Sequence, residues 1–107
     1  MTAMSALARR VPLVLHFPER DGRNDGWGRF LELAADGARA ATLTRLTKGD
    51  CLRVSFEAAG EKVELLRADV ESVQRDLDGY FVAELRFLDE ETRGRLAKAF
   101  LSLSASS

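Results

Sequence analysis

The sequence is poor in the residues that build disulfide frameworks and metal sites. It has one cysteine, Cys51, and one histidine, His16, among 107 residues. A single thiol excludes an intrachain disulfide and a thiolate zinc site, and it favours a reducing compartment, so we expect a cytoplasmic protein. A single imidazole excludes a multi-histidine metal site and leaves one candidate base for a catalytic triad. We expect no metal and no cofactor.

The sequence also lacks long apolar runs and a surplus of positive charge. No apolar stretch approaches the roughly 20 residues that span a bilayer, so we expect neither membrane insertion nor a signal peptide. Sixteen Lys and Arg residues face seventeen Asp and Glu residues, a net charge of −1, which argues against DNA or RNA as a partner. Thirteen of the sixteen basic residues are Arg, which favours bidentate contacts to carboxylates, phosphates or guanine edges.

The composition is that of one globular domain, with 46% hydrophobic and 31% charged residues. The small, uncharged residues at the start and the serine-rich end set its expected limits. We predict a flexible arm over 1–8, a folded domain over 9–103 and a disordered tail over 104–107.

Alternating apolar residues predict short antiparallel strands. Within the second strand we expect Leu31 and Leu33 to share a face. The Leu65-Leu66 doublet breaks the alternation and predicts a bulge or corner. The segments with a period of two lie at 11–17, 27–34, 38–43, 51–57, 63–71 and 80–87.

The period changes to about 3.6 after the last strand, which predicts a C-terminal helix. Asp89 is placed to cap its N-terminus. Leu96, Phe100 and Leu103 form its apolar stripe. Six or seven strands followed by one helix indicate a small barrel or sandwich, a mainly β fold.

Four short stretches stand out in the order of these elements: Arg-Arg-Val-Pro at 9–12, Glu-Leu-Ala-Ala-Asp-Gly-Ala at 32–38, Lys-Gly-Asp at 48–50 and Phe-Val-Ala-Glu-Leu-Arg-Phe at 81–87. With the long strand pair between the last two and the terminal helix, this order resembles a PilZ domain over residues 9–103. PilZ domains are six-stranded barrels whose nucleotide-binding members hold the bacterial second messenger cyclic di-GMP. The resemblance therefore implies a six-stranded antiparallel β-barrel with a C-terminal α-helix.

The two nucleotide-binding motifs of that family are incomplete here. Arg9 and Arg10 stand near the Arg-x-x-x-Arg motif, but no register supplies two arginines at that spacing. Glu32, Ala34 and Gly37 take the Asp/Asn, Ser and Gly positions of the second motif. An absent arginine fork and an absent hydroxyl each cost about 1–3 kcal/mol of binding. We expect nucleotide binding to be weak or lost.

Two functional hypotheses follow from the resemblance. The first is a regulatory adaptor that contacts bacterial signalling, pilus or motility proteins, with Trp27 either an exposed anchor or packed over the barrel mouth. The second is a working cyclic di-GMP receptor with a rearranged site, in which Arg9 and Arg10 act with Glu32 and Gly37. That hypothesis needs several arginines to converge on one face, drawn from Arg9, Arg10, Arg20, Arg23, Arg29 and Arg39.

An enzyme is not expected. His16, Glu32, Asp69 and Ser72 are chemically capable side chains, but no spacing pairs a nucleophile with a base. We expect His16 to be a partly exposed polar residue and Cys51 to be half-buried.

Overall fold

The computed structural model describes residues 11–106, with side chains over 11–102, and forms a closed antiparallel barrel followed by one helix. The strands pair in the order β1-β2-β3-β6-β5-β4. This confirms the expected six-stranded antiparallel β-barrel with a C-terminal α-helix. The elements are β1 (Pro12–His16), β2 (Gly26–Leu33), β3 (Gly37–Thr42), β4 (Cys51–Ala58), β5 (Glu61–Arg75), β6 (Phe81–Phe87) and α1 (Glu90–Ser106), with a 3₁₀ turn at Glu19–Asp21.

Three phenylalanines from three strands meet inside the barrel. The rings of Phe30 and Phe56 are perpendicular at 4.9 Å between centroids, and the rings of Phe56 and Phe87 stack at 6.1 Å. All three side chains are buried. Because successive residues of a strand face opposite sides, the alternation seen in the sequence is enough to send these rings inward.

A bulge in β2 changes the face of its last residues. The register against β3 shifts between Phe30 and Glu32. Phe30 and Leu33 are both fully buried as a result, whereas Leu31 is only half-buried. The prediction that Leu31 and Leu33 share a face is therefore wrong, because one extra residue reverses the alternation between them.

The predicted bulge in β5 is confirmed. Leu65 adopts a left-handed backbone with φ of 53°, and the register against β4 shifts between Val54 and Phe56. The Leu65 amide donates to Ser55 Oγ at 3.0 Å instead of to a backbone carbonyl. Leu66 is buried, while Leu65 is 51% exposed on the outside of the barrel.

The helix begins as predicted, with Asp89 at its N-terminus. Asp89 Oδ1 accepts a hydrogen bond from the Glu91 amide at 3.2 Å, and Asp89 Oδ2 accepts one from the Thr92 hydroxyl at 3.0 Å. Leu96 and Phe100 are buried. The helix extends from Glu90 to Ser106, and no proline interrupts it.

The remaining predicted segment at the other terminus, the arm over 1–8, lies outside the described residues, as do Arg9 and Arg10. Over the part of the chain that the structure describes, no helix is long and apolar enough to cross a membrane.

Candidate functional site

The hairpin between β2 and β3 carries the positions that match the second nucleotide-binding motif. The Ala34 amide donates to the Gly37 carbonyl at 2.8 Å and closes the turn. Gly37 has no positive φ, so its turn does not require glycine for that reason. A Cβ at Gly37 would instead clash with the Leu85 carbonyl oxygen of β6. The glycine is needed for close packing of β3 on β6.

Glu32 is held by an ion pair across the hairpin. The register places it opposite Arg39, and Arg39 Nη2 lies 2.9 Å from Glu32 Oε1. Both side chains are about half exposed, so the pair contributes at most about 1 kcal/mol to stability. The pair matters more for binding than for stability. The Glu32 carboxylate that would accept hydrogen bonds from a guanine already has a guanidinium partner. Glu84 lies opposite Arg39 on the other side.

Two shallow grooves of about 240 and 210 Å³ flank this hairpin. Their walls hold more carboxylates than guanidinium groups, so an anionic ligand meets no net positive charge from the groove walls. Ala34 supplies no hydroxyl. The carboxylates are Glu32, Asp36, Glu71 and Glu84, and the guanidinium groups are Arg39, Arg86 and Arg93.

Three of the arginines that the receptor hypothesis draws on do not converge on one face of the barrel. Arg39 is taken by Glu32 on the β2–β3 hairpin. Arg23 lies 4.0 Å over the ring of Phe17 and forms ion pairs with Asp21 and Asp50. The guanidinium carbon of Arg29 lies 5.8 Å from the centroid of the Tyr80 ring. These three guanidinium groups therefore serve three separate local contacts.

Trp27 is exposed and not packed over the barrel mouth. Its indole is 69% exposed, and the neighbouring Leu43 is 67% exposed. The backbone beneath is fixed, because the buried Thr42 hydroxyl donates to the Trp27 carbonyl at 2.6 Å and accepts from the Thr44 amide at 3.1 Å. A groove of about 410 Å³ runs beside the indole towards Tyr80. We call Trp27, Leu43 and Tyr80 the Trp27 surface.

His16 and Cys51 both lie on the outer face of the barrel. His16 is partly exposed, as expected, with Nδ1 3.1 Å from Asp25 Oδ2 and Nε2 3.0 Å from Ser55 Oγ. Cys51 is exposed, which corrects the expectation of a half-buried residue. Its thiol donates to Asp69 Oδ1 at 3.3 Å. This hydrogen bond and the charge of Asp69 raise the pKa of Cys51, which keeps the sulfur protonated and weakly nucleophilic.

Among the residues that the structure describes, no group of three or more His, Cys, Asp or Glu side chains is arranged to hold a metal ion.

Comparison with known proteins gives similarity at the level of structure alone. Family models give no match, and neither do the curated proteins. The crystal structure of YcgR in complex with c-di-GMP from Escherichia coli matches with a TM-score of 0.74 at 16% identity. The PilZ domain with c-di-GMP of YcgR from Escherichia coli matches with a TM-score of 0.69, also at 16% identity.

The extent of these matches defines the fold. The chain is covered to 98% in both comparisons. It spans 45% of the length of the first YcgR chain and 90% of the PilZ domain. The chain therefore has the fold of a PilZ domain.

Two features of the site were not found by sequence reasoning. The Glu32–Arg39 pair depends on the hairpin register, which the β2 bulge shifts. The exposure of Leu43 beside Trp27 depends on β3 ending at Thr42. The alternation of apolar residues predicts neither the ion pair nor the exposure of Leu43. It indicates which face of the sheet a residue lies on, but not which residue lies opposite it on the next strand.

Proposed function

We propose that this domain is a non-enzymatic regulatory module of the PilZ type that acts through protein contacts and binds cyclic di-GMP weakly or not at all. The observation that carries the proposal is the state of the β2–β3 hairpin. Glu32 is paired with Arg39, Ala34 offers no hydroxyl, and carboxylates outnumber guanidinium groups in the flanking grooves. A ligand with two phosphates loses both its polar contacts and its electrostatic attraction at such a site.

The Trp27 surface supports the second half of the proposal. An exposed indole on a rigid strand gives a large contact area at little entropic cost, and tryptophan is enriched among residues that dominate binding energy. Arg29 lies beside Tyr80 at the same groove. Bacterial signalling, pilus or motility proteins are the partners that we propose, in the cytoplasm.

The alternative of a cyclic di-GMP receptor depends on Arg9 and Arg10. These residues lie outside the described residues, so the proposal is tested in solution on the full chain. In a titration of the wild-type chain with cyclic di-GMP by isothermal calorimetry, we expect no saturable heat at micromolar ligand. Tight, stoichiometric binding would contradict the proposal, and Arg9→Ala/Arg10→Ala would then test the rearranged site.

A variant with the family motif restored tests the same proposal by a gain of binding. We expect Ala6→Arg/Glu32→Asp/Ala34→Ser to gain saturable binding, because the changes restore an arginine fork, a shorter carboxylate and a hydroxyl at the family positions. The matched control replaces Ala34→Ser by Ala35→Ser, which adds the same hydroxyl one residue away. Equal affinity of the rebuilt variant and its control would show that a hydroxyl at position 34 does not limit binding, and no gain of binding in either would show that the three motif positions together do not.

A further inference from the structure

A larger cleft lies on the outside of the barrel, away from the β2–β3 hairpin. It has a volume of about 540 Å³ and is bounded by β1, β4, β5 and the segment after β1. In the strand order β1-β2-β3-β6-β5-β4, β4 and β5 lie across the barrel from β3 and β2. The size is within the roughly 300–1,000 Å³ typical of small-molecule sites.

Two arginines lie side by side in this cleft. The register pairs Arg53 of β4 directly with Arg67 of β5, and His16 of β1 lies opposite Arg53 on the other side. Between Val11 and Ser102, neither guanidinium has an ion pair, a hydrogen bond from its side chain or a ring contact. Like charges placed directly opposite each other across a strand pair are destabilising. The fold therefore holds two exposed cations side by side with no ion pair on either.

Asp69 and Glu19 line the same cleft, but neither carboxylate forms an ion pair with Arg53 or Arg67. Asp69 accepts the hydrogen bond from Cys51, and Asp25 lies beside His16. Glu19 also lines the cleft and forms no ion pair within the described residues. Each guanidinium fork therefore keeps all its donors available for a ligand.

One wall of the cleft is apolar and partly preformed. The β5 bulge places Leu65 on the outer face, where it is 51% exposed, and Pro18 and Leu88 line the same cleft. A non-glycine residue with φ of 53° costs free energy, and such residues cluster at functional sites. The wall supplies contact area for the organic part of a ligand whose charged end reaches the arginines.

We propose that Arg53 and Arg67 bind the phosphate group of a small ligand in this cleft. Two planar guanidinium groups offer parallel pairs of N–H donors that match phosphate oxygens, and a phosphate dianion neutralises both charges at once. A carboxylate monoanion would neutralise only one. The site uses β1, β4 and β5 and is independent of the function proposed above.

The test is thermal unfolding of the full chain during titration with phenyl phosphate, an organic phosphate with an apolar body. We expect a saturable rise in Tm, since a ligand that binds only the folded state stabilises it. In Arg53→Gln/Arg67→Gln we expect the half-saturating concentration to rise about tenfold or more. In the absence of ligand, that variant should unfold at the wild-type Tm or above, because the like-charge pair is gone.

The matched control is Arg45→Gln/Arg75→Gln, which removes the same net charge from exposed positions outside the cleft. Its half-saturating concentration should stay within about twofold of wild type, since only long-range, screened charge is lost. Arg67→Gln alone provides the same comparison if the double variant does not fold.

The titrations with inorganic phosphate and with phenol complete the test. Tighter binding of phenyl phosphate than of inorganic phosphate assigns the cleft to an organic phosphate, and equal binding assigns it to free phosphate. The proposal is overturned if no saturable shift occurs, if phenol and phenyl phosphate act alike, or if the cleft variant and its control respond equally.

Discussion

Single residues set what the hairpin of this domain can do. Position 37 requires glycine because β3 lies close to β6 there, and any side chain would clash with the Leu85 carbonyl oxygen. The resemblance to a PilZ domain implied a glycine at this position because the backbone would approach a ligand there. The structure gives it a packing reason that holds with or without a nucleotide.

Gly37→Ala should destabilise the barrel by about 1–3 kcal/mol, because β3 and β6 must separate to admit the methyl group. Gly94→Ala is the matched control with the opposite sign. A Cβ at Gly94 meets open space on α1, so alanine should stabilise by about 1 kcal/mol through helix propensity. Urea unfolding of both variants measures the difference, and equal effects would contradict the packing account.

At the scale of elements, side-chain hydrogen bonds at its N-terminus decide where α1 begins. Asp89 accepts hydrogen bonds from the Glu91 amide and the Thr92 hydroxyl. Thr92 is buried, so its hydroxyl depends on this carboxylate. A side chain also satisfies the backbone at the β5 bulge. The Leu65 amide has no partner carbonyl in the strand pairing, and Ser55 Oγ accepts its hydrogen bond.

Asp89→Ala should cost about 1–2 kcal/mol, because the helix loses its cap and a buried hydroxyl loses its acceptor. Glu90→Ala at the neighbouring exposed position should cost about 0.5 kcal/mol, since only the helix-dipole interaction is removed. Chemical denaturation monitored by far-UV circular dichroism compares the two. A cost for Glu90→Ala as large as that for Asp89→Ala would rule out a specific cap.

At the scale of the whole molecule, closure of the barrel gives strands that are not neighbours in the sheet one common core. Phe56 of β4 contacts the rings of Phe30 on β2 and Phe87 on β6, which are not its neighbours in the barrel. The three rings therefore join strands that backbone hydrogen bonds do not join directly.

Phe56→Ala should destabilise the domain by about 3–5 kcal/mol, a large share of the 5–15 kcal/mol typical of a small domain. The loss should act on all strands together, so circular dichroism and amide hydrogen exchange in β1 to β6 should report one transition. Phe81→Ala, at a half-buried position beside Arg75, should cost clearly less. Separate transitions for different strands would contradict a single cooperative core.

The sequence alone determined the class of fold and several local features of this protein. The alternation of apolar residues, the change of period after residue 88, the Asp89 cap and the Leu65-Leu66 doublet all act through neighbours in the chain. Such signals survive in a single sequence because burial of one face and local hydrogen bonding generate them directly.

Only the tertiary structure decided which side chains lie beside each other. Bulges shift the register, and closure of the barrel fixes which residues face one another across strands. These two effects place Arg39 on Glu32 and Arg67 beside Arg53. The arginine-rich composition therefore has no single role: Arg23, Arg39 and Arg95 form ion pairs, whereas Arg53 and Arg67 lie side by side without one. Register across the sheet, and not distance along the chain, decides which of these contacts form.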